Sequence, residues 1–151
     1  MIFINSNILA YSFKAYGHPN IKGTHRNTFE FTKDENLTSR GDCIIGVRAT
    51  FHNRQLKEFL KQIKEKSTER ITIKISISNP NSSQTISDEL TAIPNFDFSD
   101  DHEFVVRLGP MATERTFATN ADKSAMMLKR ELIAAMKIDG AVAAIEISSL
   151  S

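Results

Sequence analysis

The stretch Ile71-Thr72-Ile73-Lys74-Ile75-Ser76-Ile77-Ser78 decides how the rest of the chain is read. Its isoleucines alternate with polar residues at the two-residue period of a half-buried strand. Just upstream, Leu56, Phe59, Leu60 and Ile63 fall at i, i+3, i+4 and i+7, which predicts an amphipathic helix over residues 53–66. The same two stripes return 72 residues later without a gap. Ala49, Leu56, Lys57 and Leu60 match Ala121, Leu128, Lys129 and Leu132, and Ile73, Ile75 and Ser76 match Ile145, Ile147 and Ser148. That is seven identities in 28 positions, with helix and strand stripes in register together. The expectation is a duplicated strand–helix–strand unit, in halves of residues 8–78 and 84–149. Two such units would pair about a pseudo-two-fold axis, their sheets joining or closing into a barrel that protects the edges.

The other segments fit a strand-rich α+β domain. Strands are expected over residues 8–16, 24–32, 43–49, 84–92, 103–108, 115–119 and 142–147. Phe29 and Phe31 alternate with Thr28, Glu30 and Thr32, as in a strand with one buried face. Asn79-Pro80-Asn81-Ser82 reads as a turn. A second helix is expected over residues 122–137, with Leu128, Leu132, Ala135 and Met136 on one face. The fold expected is therefore a single α+β domain, with two helices on a mixed or barrel-like sheet.

A chain of 151 residues fits one domain with a core that needs no staples. The formal net charge of +1 lacks the basic excess usual in nucleic-acid-binding domains. The charge is unevenly spread. Residues 54–74 hold seven basic and three acidic side chains, whereas residues 88–103 hold six acidic ones and no lysine or arginine. Cys43 is the only cysteine, which excludes an intramolecular disulfide and fits a reducing compartment. No run approaches the length of a membrane span, and residues 1–13 lack a basic leader region, so a cytoplasmic location is expected.

Arg40-Gly41-Asp42 spells an adhesion tripeptide, but here it leads into Cys43-Ile44-Ile45-Gly46 and reads as a turn entering a buried strand. Together with His25-Arg26-Asn27-Thr28-Phe29-Glu30-Phe31-Thr32 and Ala121-Asp122-Lys123-Ser124-Ala125, the run Leu37-Thr38-Ser39-Arg40-Gly41-Asp42-Cys43-Ile44-Ile45-Gly46 resembles an archaeal family known as domain of unknown function 371. The similarity runs from about Tyr16 to Ile147. It implies an archaeal cytoplasmic protein of uncharacterised function and supplies no chemistry. In that family Ala-Asp-Lys also tends to follow the first copy of the strand. Here Ala49-Thr50-Phe51 stands in that place, so Asp122 and Lys123 have no counterpart.

His18 and His25 flank a six-residue loop and would approach one another across a hairpin, with Asp42 and Cys43 near them if the third strand starts there. No compact Cys/His spacing of a zinc site accompanies them, and a turn histidine and a strand histidine account for both. Asp122 suits a helix N-cap, while Lys123 and the free N–H groups of that turn would suit a phosphate or carboxylate. Cys43 beside a carboxylate has its thiol pKa raised, which argues against a nucleophile. The acidic loop around Asp97, Asp100, Asp101 and Glu103 lacks calcium-hand spacing and reads as solvated.

Two classes of function follow. One is a non-enzymatic binding module for a small anion, nucleotide or RNA, using Asp122, Lys123 and the basic helix face of Arg54, Lys57, Lys61 and Lys64. The other is a small enzyme, with or without a metal, in which His18, His25, Glu30 and Asp42 converge. Binding is favoured, because no acid–base–nucleophile set stands out.

Overall fold

Alternating isoleucines give β5 (Ile71–Ser78) one buried and one open face, and its neighbours repeat the pattern around it. The structure is a computed structural model that describes residues 2–5, 8–78 and 83–149, with backbone alone for 2–5. The turn expected at residues 79–82 lies outside the described residues. In chain order the elements are β1 (Ile2–Asn5), β2 (Ile8–Tyr16), β3 (Thr28–Thr32), β4 (Ile44–Gly46), α1 (Asn53–Glu65), β5, β6 (Thr85–Pro94), β7 (Glu103–Arg107), β8 (Thr116–Thr119), α2 (Arg130–Met136) and β9 (Val142–Ser148).

The strands form one sheet in the order β1-β2-β9-β5-β6-β8-β7-β3-β4. Its pairings are antiparallel except β3 with β4 and β7 with β8, which run parallel, so the sheet is mixed. It curls without closing into a barrel. One isolated bridge links the end of β2 to the residue after β4, where Tyr16 and Val47 exchange N–H···O=C bonds of 2.8 Å. The concave side is packed with phenylalanine. Phe13, Phe31, Phe51 and Phe104 meet at centroid distances of 5.2 to 6.0 Å, and Phe104 stacks on Phe117 at 4.4 Å. Each ring removed from water contributes roughly 1.5–3 kcal/mol.

Helix α1 lays Leu56, Phe59, Leu60 and Ile63 on this core, as the spacing predicts. Tyr11 on β2 secures its start. The Tyr11 hydroxyl accepts the His52 N–H at 3.0 Å and donates to Gln55 at 3.0 Å. Helix α2 corrects the expected 122–137 span, since residues 125–127 form a separate 3₁₀ turn and the α-helix begins only at Arg130. Asp122 caps neither. Leu128 keeps its place on the buried stripe although it precedes the helix, so periodicity alone overran the boundary.

The offset of 72 reappears in backbone geometry. Arg48 and Asn120 both sit at φ 50°, a left-handed conformation few side chains adopt. The next residues, Ala49 and Ala121, donate to Thr32 O and Arg107 O at 2.9 and 3.0 Å. Thr50 N–H donates to Lys14 O and Thr50 Oγ1 accepts the Lys14 N–H; Asp122 N–H donates to Thr91 O and Asp122 Oδ1 accepts the Thr91 N–H.

Candidate functional site

The antiparallel pairing of β3 with β7 places Thr28 opposite Arg107, Glu30 opposite Val105 and Thr32 opposite Glu103. Because side chains alternate, these six share one face, while Phe29, Phe31, Phe104 and Val106 turn to the core. Every residue of β3 is nonetheless buried, so the polar face is covered as well. A glutamate in that position is taken out of water.

Glu30 is 8% exposed. Its Oε1 accepts the Cys43 thiol at 3.3 Å, and its buried Oε2 meets no N–H or hydroxyl donor. Burial, followed by a hydrogen bond with Glu103 and the charge of Glu103, raises its pKa to about 7; the Cys43 hydrogen bond and the Arg115 charge pull the other way. Oε2 of Glu103 is likewise buried and unpartnered. Cys43 is pushed up to about 12 by burial and then by Glu30, so the protonated thiol is favoured at neutral pH.

Beside this pair, His102 Nε2 meets Asp34 Oδ1 at 2.6 Å, a bond that raises the imidazole pKa. Lys33 N–H donates to His102 O at 3.0 Å, which ties the end of β3 to the start of β7. Asp100 Oδ2 accepts the N–H groups of both His102 and Glu103, fixing their backbone. One ligand atom each from Asp34, His102 and Glu103 lies within 4.8 Å of the others, the one such triplet of His, Cys, Asp or Glu among the described residues.

The other end of the same face is basic. Arg107 donates through Nε to Thr116 Oγ1 at 3.0 Å, and the fully buried Thr116 also accepts the Thr113 N–H at 3.0 Å. Among the described residues the terminal amino groups of Arg107 have no partner. With Asn27, Thr28, Gly109, Pro110 and Met111, Arg107 lines an open cleft of about 280 Å³.

The residues singled out from sequence are scattered over the fold. His25 and Asp42 do meet through backbone, because Thr24 and His25 N–H both donate to Asp42 O at 3.1 Å, and Glu30 N–H donates to Cys43 O at 2.9 Å. The His25 ring serves its own turn: Nδ1 accepts N–H groups of Asn27 and Thr28 at 3.1 Å. His18 Nδ1 likewise accepts the Asn20 N–H, and the His18 N–H donates to the O of Met136, the last residue of α2. Asp122 holds Thr91, and Lys123 is paired with Asp88 at 2.5 Å, so neither stands free at a helix end. Arg54, Lys57 and Lys61 are exposed on α1 and interleaved with Glu58. Asp34, His102 and Arg107 were missed, and Glu103 was read as part of a solvated acidic loop. The signal for Glu103 was its strand phase, which matches Glu30 once β3 and β7 are paired.

A family model described as a domain of unknown function, number 371, matches residues 13–150. The chain belongs to that family. An uncharacterised protein of Methanocaldococcus jannaschii is 31% identical over 133 residues, which cover 85% of this chain and 92% of the relative. The matched family region contains both ends of the β3–β7 face and every candidate residue, and leaves β1 outside. No helix among the described residues is long and apolar enough to cross a membrane.

Proposed function

We propose that this protein is a binding module for a small anionic ligand, a carboxylate or phosphate, held in the cleft at Arg107. The observation that carries this reading is the guanidinium itself. It is fixed through Nε on a buried threonine, its two terminal amino groups have no partner among the described residues, and Arg107 lines an open cleft. A planar fork with one edge already anchored loses little freedom when it meets a carboxylate or phosphate. The anion reading thus moves from Lys123, whose charge Asp88 already meets, to Arg107. Met111, 70% exposed at the cleft, offers an apolar wall for the body of the ligand.

The test is calorimetric titration with inorganic phosphate and with citrate. Binding that falls at least tenfold in Arg107→Ala and is unchanged in Lys123→Ala supports the reading. Equal binding by Arg107→Ala and the parent protein, or no binding of either anion at millimolar concentration, ends it. An RNA ligand would instead engage Arg54, Lys57 and Lys61, and its affinity would fall steeply with salt. A second reading, an enzyme, rests on Glu30 lying on the same strand face as Thr28 of the cleft.

The two halves are read as copies of one duplicated unit that diverged. The matched backbone bonds of Thr50 and Asp122 support this, as do the matched φ values of Arg48 and Asn120. Divergence would leave one working face, at β3 and β7, rather than two equivalent sites.

A further inference from the structure

We propose that Asp34, His102 and Glu103, with Glu30 beneath them, form a binding site for a divalent transition-metal ion. Three separate observations converge on it. First, the ligand atoms of the triplet already stand within 4.8 Å of one another, on two strand ends tied by the Lys33–His102 backbone bond. Two ligands each about 2.1 Å from a shared ion stand roughly 3 Å apart, so small side-chain rotations close the set. Second, Asp100 anchors the N–H groups of His102 and Glu103. This supports the ligand backbone from behind, as outer-shell partners do in metal sites.

Third, the cluster holds buried carboxylate oxygens that no hydrogen-bond donor meets. Glu30 is over nine-tenths buried beside Glu103, and each of the two has one buried carboxylate oxygen that no donor meets. Buried acceptors without donors are costly, and unpaired buried carboxylates more so. Asp34, Glu103 and Asp100 all act on the one imidazole of His102, and Glu30 lies beside Glu103 with the Arg115 charge acting on it. A doubly charged cation meets this deficit, and oxygen lone pairs that lack donors are what it requires.

The donor set selects the class of ion. Two or three carboxylates with one imidazole suit manganese, iron(II) or zinc better than calcium or magnesium, which favour all-oxygen sites. Cys43 does not join the set, because its thiol keeps its proton and donates it to Glu30.

The test uses the full chain stripped with chelator, dialysed, and titrated with manganese or zinc alone by calorimetry. One equivalent should bind at micromolar concentration or tighter. His102→Ala and Asp34→Asn alter exposed side chains at the rim, so the fold is retained and circular dichroism verifies it. Each should weaken binding at least tenfold. Glu30→Gln should weaken it less, as a group beneath the triplet. Binding that survives both rim substitutions undiminished, or no stoichiometric binding at 100-fold excess of either ion (on the order of the range over which such sites saturate), overturns the proposal. Because the probe is the metal alone, the result is independent of anion binding at Arg107.

Discussion

Glu30 shows what one carboxyl can do to a strand. A glutamate between Phe29 and Phe31 points away from the phenylalanine core, and on an open sheet it would be solvated. Here the face is covered and Glu103 lies beside it, so the protonated form is favoured up to about pH 7 rather than 4.5. In metal-free protein the sign follows from proton uptake. Between those two values the folded state holds a proton that the unfolded state has lost, so stability falls as pH rises. The contribution is fully present below 4.5 and gone above about 7, a change on the order of 3 kcal/mol for a shift of this size. Glu30→Gln should flatten that slope and make the chelator-treated protein more stable than the parent at pH 8. Denaturant melts at pH 5 and pH 8 measure both. A slope that persists unchanged in the variant would place its origin elsewhere. Glu30 was legible in the sequence because its strand phase is local. Glu103 was not, because only the β3–β7 pairing brings it across, and in sequence it closes an acidic loop.

At the scale of elements, α2 is held by a residue no helix rule would name. Asp88, on β6 and 6% exposed, accepts the Lys129 N–H at 2.9 Å just ahead of the first helical turn and also holds Lys123. It does from a neighbouring strand what an N-cap does from within the chain. Burial raises its pKa, but the Lys123 bond, the Lys129 N–H and the Lys123 charge together outweigh that and hold it below the usual carboxylate range. Arg130 completes the junction, donating to the carbonyls of Gly23, Ala125 and Leu128. The side chains of Asp122 and Lys123, and the backbone of Ala125, Leu128 and Lys129, are thereby engaged before the helix begins. This explains why a periodicity count started the helix several residues early. Asp88→Ala should cost about 2–4 kcal/mol, since it leaves a partly buried ammonium and a helix N–H unmet. Thermal melts near neutral pH would register it, and Asp88→Asn, which keeps one acceptor, should lose less. Acid should narrow the difference, because the Asp88 contribution is present above its unfolded pKa and lost as pH falls through the folded one. A melting temperature unmoved by Asp88→Ala would show that Arg130 alone carries the junction.

Across the whole molecule, the sheet order runs β2-β9-β5-β6-β8-β7-β3-β4 inside its edge strand. Exchanging β2 with β6, β9 with β5, β8 with β4 and β7 with β3 returns the same sequence of neighbours, read in reverse around the Tyr16–Val47 bridge. Short parallel pairs, β3 with β4 and β7 with β8, exchange in the same operation, and both shift register near their middle. The helix and strand stripes made α1, β5 and β9 visible from sequence. The parallel pairs were not visible, because strands of three to five residues carry too few alternations to declare their partners. If the halves are copies, equivalent positions should accept each other's residues. Thr50 is the sharpest case, since its Oγ1 accepts the Lys14 N–H where Asp122 Oδ1 accepts that of Thr91. Thr50 is exposed, so a carboxylate there stays hydrated. Thr50→Asp should therefore fold with stability within about 0.5 kcal/mol of the parent, whereas Thr50→Val, which keeps the shape and loses the acceptor, should cost about 1 kcal/mol. Urea melts of the two variants discriminate. Equal loss in both would mean that the two turns resemble one another in backbone only, and that chemistry at one does not transfer to the other.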